Sequence, residues 1–313
     1  MVRPRELLAI LLSAGLFLVS GSAEAAYQYS YQFGSAGSNP GQFNSAEGIA
    51  VANGNVYVAN HNDSRVEEFT IGGSFIRQWG VFAATGVATL TSGNVLVVSP
   101  NNNLVYEYDG NGGFVTAIGG AQLNVPYFAG ANSSTGNIYV SDSGNNRIAE
   151  FDSSGNFLGS IGSGQFGLAF GVAVDSNGNI FVSDLTGNSI QKYDSSGNFV
   201  TKWGTTGTGN GQFESPSGIA VDSAGHLFVA DQGDPRVQEF DNNGSFITSF
   251  SSPLVSAYAV AIDSGGSAYV TDYGNNSVDV FTPTPEPGGV ALLAAGGIGL
   301  AAFRRRRPES LMT

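Results

Sequence analysis

The chain has 313 residues, 42% of them hydrophobic, which is enough to bury a sizeable core and excludes disorder throughout. Its 45 glycines and a charged fraction of only 12% favour many tight turns between short strands over long charged helices, so an all-β domain is expected. A net charge of −13 makes nucleic acid and anionic membrane surfaces poor partners, because they repel such a body at long range.

Residues 1–25 come first: two arginines, an apolar run, then small residues with Ala23-Glu24-Ala25 as an A-x-A cleavage site. This is the pattern of a signal peptide, and it predicts a mature chain starting at Ala26. An uncleaved membrane anchor is the alternative, although the apolar run is short for a full span. Between residues 26 and 287 there are six basic and 22 acidic side chains, so the exported part is more acidic than the whole, near −16. No cysteine is present, so a chain sent to an oxidising compartment must be stabilised by packing alone.

From residue 48 onward one unit is written six times. GVAVDSNGNIFVSDLTGNSIQKYDSSGNFVTKWG at residues 171–204 is repeated almost position for position by GIAVDSAGHLFVADQGDPRVQEFDNNGSFITSF at residues 218–250. The units begin near Gly48, Gly86, Ala129, Gly171, Gly218 and Ala259, with spacings of 38 to 47 residues that suit four short strands each. We label these strands a to d. Strand a is made of small apolar residues, b is β-branched and aromatic, and c and d alternate. The sixth unit stops after strand c, at Pro283, whereas residues 28–34 match the pattern of a strand d. An N-terminal strand completing the last unit would close a ring and remove two sheet edges. The expected fold is therefore an all-β, six-bladed β-propeller of four-stranded blades, spanning residues 26–283, with an open stack of repeats as the competing architecture.

The stretch GNIYVSDSGNNRIAEFDSSG at residues 136–155 closely resembles the NHL repeat. The resemblance covers about residues 27–283 and implies a propeller. It leaves function open, because such propellers include enzymes, sensors and scaffolds.

Some propellers of this kind are metal-dependent lyases that use histidine ligands inside the ring. Here the up-and-down path puts His61 and His226 on opposite faces, so they cannot share an ion, and neither a transition metal nor any other cofactor is expected. Seven Asp-x-x-Gly segments, starting at Asp109, Asp152, Asp175, Asp194, Asp222, Asp241 and Asp263, faintly resemble calcium loops. A hairpin that needs a capping Asp and a Gly with positive φ explains them without a metal, and weak surface calcium is the alternative. Arg65, Arg147 and Arg236 open strand c in alternate units. With Asp142 and Asp231 five residues before the latter two, ion pairs bracing the b-to-c loop are expected, and a grip on anionic sugars is the alternative. Gln-Phe before strand a, as at Phe43, Phe166 and Phe213, reads as a plug between blades. No G-x-S-x-G motif, phosphate loop or paired nucleophile and base is present, so no catalytic residue is assigned.

The tail, residues 284–313, places Pro285-Glu286-Pro287 before an apolar run and four arginines. The run of 16 residues is short of a comfortable span, and the arginines belong on the cytoplasmic side. This order resembles the PEP-CTERM sorting signal of Gram-negative bacteria. The resemblance implies transient anchoring in the inner membrane, cleavage by an exosortase, and release to the cell surface or exopolysaccharide matrix. A permanent anchor is the alternative.

The expected function is that of an exported, non-catalytic binding or structural component, with polysaccharide or another surface protein as partner. The alternative is an exported hydrolase or lyase using the top of the central channel. Loops before strand a and after strand b share one face, the top, and vary in length and sequence, as recognition surfaces on a rigid scaffold do. Asn60, Asp142, Asp184, Asp231 and Asp272 close their b strands on that face, with Tyr127, Tyr258 and Tyr273 nearby as stacking surfaces for sugar rings. These eight are the candidate ligand-binding residues.

Overall fold

A computed structural model describes residues 26–284. The six expected four-stranded antiparallel sheets are all present; five run in chain order from strand a inside to strand d outside, and the sixth takes its outer strand from the N-terminal segment. Blade one is typical: a (Ala46–Ala52), b (Asn55–Asn60), c (Arg65–Thr70) and d (Phe75–Gly80). Blades two to six have inner strands Val87–Thr89, Pro126–Ala131, Ala169–Val174, Pro216–Val221 and Ala257–Ile262.

Closure follows the sequence argument. Tyr27–Phe33 pairs antiparallel with Ser277–Pro283, from Tyr27 opposite Pro283 to Phe33 opposite Val278, and supplies the sixth blade's outer strand. Tyr27 also stacks on Phe250 at 4.7 Å, so the closing strand packs against blade five as well as completing blade six.

The small residues of strand a answer to crowding near the axis. A β-carbon on Gly48 would lie 2.2 Å from the Thr85 carbonyl oxygen, and one on Gly86 would lie 2.5 Å from that of Tyr127. Neither glycine has a positive φ; the neighbouring blade's backbone excludes a side chain. The third unit departs from this pattern and from the expected register. Ala129 pairs with Val140 as Val172 pairs with Val182, so Phe128, one residue before the expected start, fills the place of Gly171.

A nearly continuous circuit of hydrogen bonds joins the blades. Gly48 N–H donates to Thr85 O at 2.8 Å, Thr85 Oγ1 to Tyr127 O at 2.9 Å and Ser143 Oγ to Ala169 O. Ser183 Oγ donates to Ser217 O and Ser217 Oγ to Tyr258 O, both at 2.6 Å, and Thr271 Oγ1 returns to Glu47 O at 2.6 Å. Each such bond contributes about 1 kcal/mol net, and leaving its buried carbonyl unpaired costs more.

The turns are as expected. In each of the seven Asp-x-x-Gly hairpins the Asp accepts two backbone N–H groups, as Asp152 Oδ1 does from Ser154 and Asn156 at 2.9 and 2.8 Å. The closing Gly, such as Gly155 at φ +82°, takes the left-handed conformation. No helix among the described residues is long and apolar enough to cross a membrane. The signal peptide and the sorting motif at Pro285, Glu286 and Pro287 lie outside the described residues.

Candidate functional site

Each inner strand begins at the top with one residue two places before its first well-paired valine, isoleucine or alanine. Around the ring these are Glu47, Thr85, Tyr127, Phe170, Ser217 and Tyr258. Phe128 adds a further ring. Blades three and six are opposite in a six-membered ring, and Phe128 reaches to 6.2 Å from Tyr258, so their side chains meet across the axis. Phe170 lies 5.3 Å from Phe128 and 5.9 Å from Tyr258, and the three close the channel. Below this plug a cavity of about 180 Å³ is lined by apolar strand a residues such as Ile49, Val172 and Ile262.

The three predicted tyrosines converge on the plug. Tyr273 stacks on Tyr258 at 5.7 Å with 22° between the planes, and Tyr127 lies 4.8 Å from Phe170. Their exposure differs. Tyr273 is exposed and Tyr127 half-buried, whereas Tyr258 is 8% exposed and belongs to the floor.

The five strand-closing residues have a different role from the one expected. Asn60, Asp142, Asp184, Asp231 and Asp272 are all at most 1% exposed and spend their oxygens on the loop before strand a. Asn60 accepts from Asn44 N–H at 2.8 Å, Asp142 from Asn124 at 2.7 Å and Asp231 from Glu214 at 2.7 Å. Asp184 accepts from Gly167 and Leu168, and Asp272 from Val255 and Ser256, all at about 2.9 Å. Buried polar groups are stabilised by such bonds, and these residues fix the loops before strand a, although Asp231 Oδ2 is left without a hydrogen-bond donor.

The arginines brace as expected, and more widely. Arg147 Nε meets Asp142 at 2.8 Å, while Arg236 lies 3.1 Å from Asp234 and 3.6 Å from Asp231. Their outer nitrogens clamp carbonyls of the preceding loop, as Arg236 does at Thr208, Gly209 and Gln212. Phe43, Phe166 and Phe213 are buried beneath these loops; Phe213, for example, packs on Phe240 and against Gly204 of the preceding blade.

Two features escaped the sequence reading. Glu47, on the top ring, is 7% exposed, and burial pushes its carboxyl up to about 8 against the pull of a hydrogen bond from the Tyr258 hydroxyl at 3.3 Å. His61 Nδ1 stands 3.7 Å from the same Glu47 oxygen. Glu47 is therefore a neutral acid near pH 7, beside a histidine and a phenol. The signal was available at the ring position that opens each inner strand, where Glu47 is the one acidic residue among Thr85, Tyr127, Phe170, Ser217 and Tyr258. The second is on the bottom face, where Asp222, His226 and Glu239 gather. The two histidines do not meet, but His226 meets two carboxylates, which lie 4 and 13 positions from it in the sequence.

The bottom face also carries clefts. One of about 270 Å³ lies between blades two and three, and one of about 190 Å³ between blades six and one. They are lined by turn residues, and the first contains a single carboxylate, Glu107, already held by Asn94 at 2.5 Å. Aromatic surface converges on the top mouth instead, with Glu47 and His61 beside it.

A family model described as a 6-bladed beta-propeller matches residues 172–280. No curated protein matches the chain. Among solved structures, a streptogramin B lyase aligns with a TM-score of 0.61 at 16% identity, covering 83% of this chain and 88% of that one. A protein of unknown function from Bacteroides thetaiotaomicron gives 0.66 at 18%, covering 83% and 76%, and a gluconolactonase from Xanthomonas campestris gives 0.65 at 15%, covering 83% and 98%. Likeness at these identities establishes the six-bladed fold, on which unrelated activities are built.

Proposed function

We propose that residues 26–283 form an exported, non-catalytic NHL-type propeller that binds polysaccharide across its top mouth, as a component of the cell surface or extracellular matrix. The observation that carries this reading is the convergence of Tyr127 and Tyr273 on an aromatic floor, ringed by loops rich in Gly, Ser and Asn. Aromatic faces bordered by amide and hydroxyl groups are suited to a polar, ring-shaped ligand. In this reading residues 1–25 are a cleaved signal peptide. Residues 284–313 are a PEP-CTERM-like signal that anchors the protein transiently until an exosortase acts, and the order of its three elements supports this.

The test compares the two faces on an array of bacterial polysaccharides. Tyr127→Ala with Tyr273→Ala should weaken binding at least about tenfold with the fold intact, while the bottom-turn pair Asp152→Ala with Asp194→Ala should not. Tyr258 is left in place because truncating a buried ring tests packing, not contact. Equal losses from both pairs would refute the assignment.

A second reading has its own observation. Glu47, its carboxyl pushed up to about 8, stands at the mouth beside His61 and Tyr258, a grouping of the kind that general acid–base chemistry in a hydrolase or lyase uses, and two structural neighbours are named as a lyase and a gluconolactonase. Turnover of a bound polysaccharide or lactone that Glu47→Gln abolishes would favour this reading over pure binding.

A further inference from the structure

We propose that Asp222, His226 and Glu239 form a binding site for a divalent first-row transition ion, typified by Zn²⁺, on the bottom face of blade five. His226 Nδ1 lies 3.0 Å from Glu239 Oε1 and 3.5 Å from Asp222 Oδ2, and the three ligand atoms all fall within 4.8 Å of one another. An ion held at 2.0–2.2 Å by imidazole nitrogen and carboxylate oxygen places neighbouring tetrahedral ligands about 3.3–3.6 Å apart. The 3.5 Å separation falls within that range and the 3.0 Å separation lies just below it, so the ion fits with shifts of a few tenths of an ångström.

The surrounding blades show what is different here. Residues matching His226 in blades one, two and three are Asn55, Asn94 and Asn137, and each donates its amide to the matching strand c glutamate at 2.5 to 2.9 Å. An asparagine amide N–H offers no lone pair to a metal, whereas neutral imidazole does. Blade five alone among these places a ligand nitrogen between two carboxylates. Asp222 has Oδ1 committed to the N–H groups of Ala224 and His226, which orients Oδ2 toward the imidazole. The site is also markedly negative: burial first, and then Glu239, Asp222 and Asp263, raise the pKa of the nearby Tyr27 phenol. A cation relieves that repulsion. His226 is about one-third exposed, so water can complete the coordination shell.

The experiment titrates the purified chain, prepared without a polyhistidine tag, with Zn²⁺ by calorimetry and with Co²⁺ by visible absorption, where tetrahedral nitrogen and oxygen ligation gives a characteristic band. One equivalent should bind per chain. His226→Asn, which restores the neighbouring blades' hydrogen bond, and Asp222→Asn, which keeps the turn cap, should each weaken binding by at least about 100-fold and remove the cobalt band. His61→Asn on the opposite face should leave both unchanged. Absence of saturable binding, or retention of binding in His226→Asn and Asp222→Asn, would show an ion pair only and overturn the proposal. Loss of binding in His61→Asn with no loss in the other two would move the site to the top mouth and overturn it equally.

Discussion

Asp279→Asn should stabilise the propeller at pH 8 and do little at pH 4. Asp279 lies in strand c of blade six opposite Val270, is completely buried, and finds no hydrogen-bond donor for either oxygen. Burial, and then the neighbouring Asp272 carboxylate, push its pKa from the usual 3.8 up to about 7. The unfolded chain therefore ionises this group while the folded chain still holds its proton, so the folded state binds more protons between those values. Its contribution to stability is complete below about pH 4 and is lost as pH rises through 7. A gap of about three pH units corresponds to at most about 4 kcal/mol, and relaxation around the charge brings this to about 2–4 kcal/mol. Asparagine has the same shape, cannot ionise, and offers Asp272 an N–H donor. At about 2–4 °C per kcal/mol for a domain of this size, Tm at pH 8 should rise by about 5–10 °C, read by circular dichroism or calorimetry. Glu47, raised to about 8, and Asp231, raised to about 6, act in the same direction, so the unsubstituted chain should itself lose stability from pH 5 to 8. A wild-type chain that gains stability over that range, or a variant whose Tm falls equally at both pH values, would refute the reasoning.

Gly86→Ala should cost about 2–4 kcal/mol in chemical denaturation, because its β-carbon would press on the Tyr127 carbonyl and the Phe128 backbone; an unchanged midpoint would show that the blades can part at the axis. Deleting Tyr27–Phe33 should abolish cooperative unfolding at the wild-type temperature, since blade six would lose a strand and expose the edge at Ser277–Pro283, and equal Tm values would rule this out. In the secreted form, mass spectrometry should find residues 288–313 absent, and should find them retained when the sorting peptidase is removed. Arginines 304–307 still attached to the released protein would dismiss the sorting signal.

The sequence by itself determined the fold and its closure. A unit repeated six times, with small residues in strand a, alternation in c and d and Asp-x-x-Gly turns at seven of the corners, admits one economical arrangement, and the missing last strand points to residues 28–34. Turn chemistry was legible for the same reason: a capping carboxylate and a glycine of positive φ act within five residues. Only the tertiary structure decided the site. Whether Asp142 or Asp231 faces a ligand or a loop depends on the position of chain about 17 residues away, and the loop N–H groups claim both. Phe128, Phe170 and Tyr258 close the channel because blades three, four and six converge on one axis, a contact between residues up to 130 positions apart. Glu47 has its carboxyl pushed up to about 8 because ring closure buries it, against the opposing hydrogen bond from Tyr258, 211 residues away. Local pattern records what a residue does within its own hairpin; burial and charge at the mouth are set by neighbours that only ring closure supplies.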